Sequence, residues 1–158
     1  MGFLKPYVRY SSCTGVIRLS KLHKAVTIHS LAHVRLALSV ASAIPRPILL
    51  LSALGAAGTV GPGWFQAVIR KGKTEFPDVI VKAMLDCGDS PGHALAALRQ
   101  GVDYIRFDGI SADKIADIAL QTDSKLIRTR PESLDLYHLE LTGHQIDTAC
   151  RTWLLDAN

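Results

Sequence analysis

The sequence predicts an α/β protein built on an open parallel sheet of four to five strands, with helices on both faces. A flavodoxin-like sandwich or a half-TIM-barrel would satisfy that description. Three observations predict it. Short apolar or β-branched runs recur roughly 20 to 30 residues apart, and helical stretches lie between them. Residues 79–108, VIVKAMLDCGDSPGHALAALRQGVDYIRFD, read as a complete strand, helix and strand. Regular alternation of this kind argues for right-handed βαβ crossovers.

Residues 24–29 (KAVTIH) are the first β-rich run, and Ser30 is placed to cap the helix that follows over 31–44. Leu31, Val34, Leu38 and Ala41 recur at helical spacing, and Pro45 and Pro47 stop the helix. The uninterrupted apolar run 48–51 suits a strand covered on both faces. A glycine-rich loop over 55–63 leads into a helix that ends near Phe76. The third strand covers 79–85; Ser90 and Pro91 then supply an N-cap and a first helical residue, and Gly101 a stop. Residues 104–107 form the fourth strand, Ser111 caps a helix over 112–121, and 125–127 is a weak fifth strand. Beyond Pro131 the pattern loosens until a closing helix over 143–155, with Ile146, Ala149, Cys150, Trp153 and Leu154 on one face.

With 158 residues, one α/β domain over 24–158 is expected, preceded by a basic extension over 1–23 that resembles a loosely held tail or a transit peptide. Apolar residues make up 48% and charged residues 20%, the balance of a protein with buried parallel strands. The longest apolar stretch is broken by Pro45, Arg46 and Pro47, so no membrane span is expected. Cys13, Cys87 and Cys150 are far apart and in no metal spacing, which reads as free thiols in a reducing cytoplasm. All ten Lys and Arg of the first half precede the first acid, Glu75, but no aromatic-interleaved basic stripe accompanies them. Nucleic acid is therefore not an expected partner.

Ligands of parallel sheets bind at the carboxyl ends of the strands, and this rule selects the candidate site. Asp86 and Asp108 end neighbouring strands at the same offset, which predicts two carboxylates side by side. Asp86 at the end of an apolar run is the candidate proton donor or acceptor. Cys87 is the candidate nucleophile, near a helix start that would favour its thiolate, with His29, His33 or His93 as base. Gly55 and Gly58 belong to a loop whose amides could meet a phosphate, although it is neither a Walker nor a dinucleotide motif. Ser52 and Arg106 sit at strand ends as further ligand-binding candidates, and His29 completes the set. The alternative for Asp86 is structural, accepting backbone amides in the loop before Ser90.

Residues 29–110 also resemble the first half of the class II (zinc-dependent) fructose-bisphosphate and tagatose-bisphosphate aldolases. The likeness rests on Pro47 to Ala56 (PILLLSALGA), on Met84-Leu85-Asp86-Cys87-Gly88, and on Gly101 to Gly109 (GVDYIRFDG). It implies that Asp86 stands at the family's proton-donor position. Cys87 stands where the family has a zinc-ligand histidine, so neither stoichiometric zinc nor any other cofactor is expected. A full barrel of the fold takes about 250 residues, well above the length here.

The leading expectation is thus a small, divergent aldolase-like protein that binds a phosphorylated or carboxylated metabolite, with Asp86 moving a proton if there is turnover. One alternative is a non-catalytic interaction or regulatory module; a half-barrel completed by a second copy would make it a homodimer. Another is a Cys87-dependent hydrolase or redox protein.

Overall fold

The computed structural model describes residues 23–156, so the expected basic extension lies outside the described residues apart from His23. Five strands appear where the apolar runs place them: β1 (Ala25–Ile28), β2 (Ile48–Ser52), β3 (Val81–Asp86), β4 (Tyr104–Arg106) and β5 (Lys125–Ile127). A sixth, β6 (Ser133–Asp135), carries no apolar run and exists through its parallel pairing with β1. The sheet is therefore six-stranded rather than four- to five-stranded, all parallel, in the order β5-β4-β3-β2-β1-β6.

Consecutive strand order has a direct consequence. Every right-handed crossover steps in the same direction, so its helix lands on the same face of the sheet. Helices α1 (Leu31–Ala43), α3 (Gly61–Glu75), α4 (Pro91–Arg99) and α5 (Ala112–Gln121) pack in series, and α7 (Ile146–Leu155) lies beside α1. Of the two arrangements expected, the half-barrel one matches. The flavodoxin-like arrangement, with helices on both faces, would need the order to reverse within the sheet. Two short helices, α2 (Ala56–Thr59) and α6 (Leu136–Leu141), follow β2 and β6.

The strands alternate as period-two elements must. Val26, Ile28, Ile48, Leu50, Val81, Ala83, Leu85, Ile105 and Phe107 point into the helix layer and form the main core. Ala25, Leu49, Leu51, Met84, Tyr104 and Ile127 form a second buried cluster made of strand residues alone. That cluster stays buried because the sheet curls. A flat six-stranded sheet would hold its edge strands about 24 Å apart. Yet β5 and β6, the two edges, are joined by residues 128–132, a link that spans at most about 22 Å. The edges must therefore approach each other, giving a concave face with apolar side chains at its floor.

The local signals worked as their chemistry requires. Ser30 and Ser90 accept hydrogen bonds from the amides of His33 and His93, capping α1 and α4. Ser111 precedes α5 without a side-chain capping bond. Gly72 lets α3 approach α1, since a Cβ there would collide with Val34 and Leu38. Arg35 on α1 holds Glu75 on α3 by two hydrogen bonds of 2.8 Å. Those bonds hold the Glu75 carboxyl down at about 2. Trp153 of α7 donates its indole N–H to the carbonyl of Ala25, 2.8 Å away, fixing the closing helix to β1.

Candidate functional site at the carboxyl edge of the sheet

Asp86 is the last residue of β3 and is fully buried. Alternation puts it on the concave face above Met84, with Arg106 of β4 as its register partner. Its Oδ1 accepts the amides of Gly55 at 3.1 Å and Gly88 at 3.0 Å. Both glycines have positive φ (64° and 60°), a left-handed conformation that favours glycine. Arg130 donates from Nη1 to Asp86 Oδ2 at 2.9 Å, and Arg106 Nη1 lies 3.6 Å from Oδ1.

Arg130 comes from the link between β5 and β6, which crosses the concave face. Its Nη2 donates to the carbonyl of Ser52 at 2.7 Å and to the Thr27 hydroxyl at 3.2 Å. One guanidinium thus touches β1, β2 and β3 at their carboxyl ends. The Thr27 hydroxyl also meets the Ser133 hydroxyl at 2.9 Å, extending the network to β6. At the other side Arg106 donates from Nη2 to Asp108. The result is a ladder across the mouth: Asp108, Arg106, Asp86, Arg130, then the two hydroxyls. Arg106 Nε is buried and has no hydrogen-bond partner among the described residues. An unmet buried donor costs about 1–3 kcal/mol, so the arrangement retains an unused hydrogen-bonding group.

The sequence-selected residues divide into three groups. Asp86, Asp108, Arg106, Ser52 and Gly55 meet at this edge. Asp86 and Asp108 do not face each other directly, because the Arg106 guanidinium lies between them. Ser52 is buried and fully engaged, accepting the amide of Asp86 at 2.9 Å and donating to the carbonyl of Ala53. The glycine loop is a tight turn into α2 rather than an open cradle. The Gly55 amide is held by Asp86, the Gly58 amide by the Gly55 carbonyl, and Gly58 backs onto the His93 ring.

His29 lies at the same edge but beside β6, its Nε2 2.9 Å from Asp135 and its ring against Tyr137. His33 accepts the His29 amide at Nδ1 and faces Glu140 through Nε2 at 3.2 Å. This pattern assigns the ring proton of His33 to Nε2. Among the described residues, no group of three or more His, Cys, Asp or Glu side chains is arranged to hold a metal ion.

Cys87 stands apart, and the expectation of a reactive thiolate there is corrected. One residue beyond Asp86, it points into the opposite face, buried in the main core with its Sγ near the Leu85 carbonyl. Burial, with the Asp86 charge adding to it, pushes the thiol up to about 12. A thiol held so firmly protonated is a poor nucleophile.

Arg130, Thr27 and Ser133 were not selected from the sequence. The signal for Arg130 was its position three residues beyond the fifth strand, where the strand-end rule also applies. Compared with known families and curated proteins, the chain has no matching family model and no matching curated relative. No helix among the described residues is long and apolar enough to cross a membrane.

Proposed function

We propose that the protein binds a small phosphorylated or carboxylated metabolite at the carboxyl edge of its sheet, in the manner of a small divergent relative of the class II aldolase barrel. The observation that carries this reading is the convergence of two guanidinium groups, Arg106 and Arg130, on one buried carboxylate at the strand ends. Guanidinium forks suit the planar oxygens of carboxylates and phosphates. Asp86, with both oxygens engaged, acts as the positioning residue for the two arginines, and the reading is one of binding rather than of an assigned reaction. A reducing cytoplasmic setting fits the buried free thiols of Cys87 and Cys150.

The test is a thermal-shift screen of sugar phosphates, small carboxylates and divalent metals against the purified protein. A ligand that binds the native state alone raises the melting temperature by mass action. A concentration-dependent rise with one anionic class, lost in a folded Arg106→Met variant, is the expected result. Equal shifts in the variant, or none with any anion, would remove the reading.

A second reading has its own support. Leu54 and Ile110, on the loops after β2 and β4, are 71% and 107% exposed at this same edge. Apolar side chains so placed suit a non-catalytic interaction module, whose partner could include a second copy of the chain. Light scattering that finds a dimer, abolished by Leu54→Asp with Ile110→Asp, would favour it.

A further inference from the structure

We propose that Asp108 is an internal stand-in for the anionic ligand: it occupies half of the Arg106 fork and is displaced when a carboxylate or phosphate binds. The inference rests on the binding reading above and adds how that site is held closed.

The hydrogen bonds of Arg106 carry it. Nη1 faces Asp86, which is fully buried and further fixed by Arg130, Gly55 and Gly88. Nη2 donates to Asp108, and Nε is buried without a partner among the described residues. An oxyanion prefers two parallel N–H donors of a guanidinium, and the Nε/Nη2 edge is one such pair. Asp108 engages one donor of that edge and leaves the other unmet. A ligand oxyanion seated on both would come against the like-charged Asp108 carboxylate at Nη2, and that carboxylate would have to move.

The two carboxylates beside Arg106 differ in how they are held. Asp86 is the immovable one. Asp108 has a side chain 45% exposed, and among the described residues its carboxylate has no side-chain hydrogen bond other than that from Arg106. Its backbone is anchored separately, by the amide of Asp108 donating to the Gly88 carbonyl at 3.1 Å. The carboxylate can therefore swing to solvent without the strand end moving. Removing its charge would also take away a like charge that opposes an incoming anion.

The experiment titrates the full chain with inorganic phosphate and, separately, with acetate. The Arg106 Nε–H resonance is followed by NMR and assigned by its loss in Arg106→Lys. Asp108→Ala is expected to tighten binding at least about tenfold over the unsubstituted protein, with the Nε–H signal shifting on saturation. Asp108→Asn, which keeps the size of the side chain, supplies the same comparison if the alanine variant folds poorly. Asp89→Ala removes one exposed charge from the neighbouring loop and should leave affinity within about twofold.

Comparable affinity in the Asp108 variants and the unsubstituted protein would overturn the stand-in while leaving the site. An equal gain in Asp89→Ala, or in an Asp108→Ala variant that also carries Arg106→Lys, would show general charge relief and overturn it too. No phosphate or acetate binding by any folded variant would overturn this inference and the binding reading together. A phosphate response without an acetate response, or the reverse, identifies which oxyanion the fork takes.

Discussion

Asp86 lies at the centre of the residue-scale account, because its neighbours are arranged around it. Removing the carboxylate would leave Arg130 Nη1 and two part-buried glycine amides without the acceptor that gathers them at the strand end. Asp86→Ala is expected to cost about 3–5 kcal/mol, the usual penalty for breaking a buried ion pair from one side, measurable by urea unfolding. A loss below about 1 kcal/mol would mean that water replaces the carboxylate and that the ladder is not structural. Cys87 offers a second residue-level test. Its thiol titrates near 12 when folded, against an ordinary 9.0 when unfolded. Between those values the unfolded chain holds fewer protons, so this contribution is complete below pH about 9 and is lost as the pH rises toward 12. Cys87→Ala should flatten the alkaline fall in stability, and native Cys87 should resist alkylation at pH 8 until the protein is unfolded.

Between elements, the contact of α1 with α3 depends on the missing side chain at Gly72. Gly72→Ala would press a methyl into Val34 and Leu38, so overpacking of about 1–3 kcal/mol is expected, despite alanine's better helix propensity. Val34→Ala in the same background should recover part of that loss, and a double-mutant cycle would measure the coupling. The same helix pair is clamped at its rim by Arg35 and Glu75. Because the folded Glu75 carboxyl is depressed from 4.5 to about 2, its contribution is present above pH about 4.5 and disappears as the pH falls through about 2. Glu75→Gln should therefore reduce the pH dependence of stability in that acid window.

At the scale of the molecule, the link over 128–132 decides the shape. It brings the two sheet edges together and places Arg130 across three strand ends. Arg130→Ala is expected to destabilise the protein by about 3–5 kcal/mol, again because Asp86 stays behind, buried and with its strongest partner gone. Arg130→Lys keeps the charge but lacks the planar fork that reaches Asp86, Ser52 and Thr27 together, so it should recover only part of the loss. Hydrogen exchange should then rise first in the short edge strands β5 and β6. Uniform exchange across the sheet would show that the link does not hold the edges.

The alternation of apolar runs with helical stretches, the serine caps at Ser30 and Ser90 and the proline stops determined β1 to β5 and the helices of the main layer, since these are local preferences a linear chain displays. They also brought Asp86, Arg106, Asp108 and Ser52 to one edge, because parallel strands of similar length present their ends together. The sixth strand was not legible: Ser133-Leu134-Asp135 has no β-rich signature and becomes a strand only by pairing with β1, more than a hundred residues away. Nor could the sequence show that Arg130 would reach Asp86 or that Arg106 would separate two carboxylates. The opposite fates of Asp86 and Cys87, adjacent in the chain, follow from strand alternation, but which face would hold the polar ladder and which the core was decided by the strand order. Consecutive order puts every crossover helix on one face and leaves the other to the polar ladder, so long-range pairing rather than local propensity placed the site.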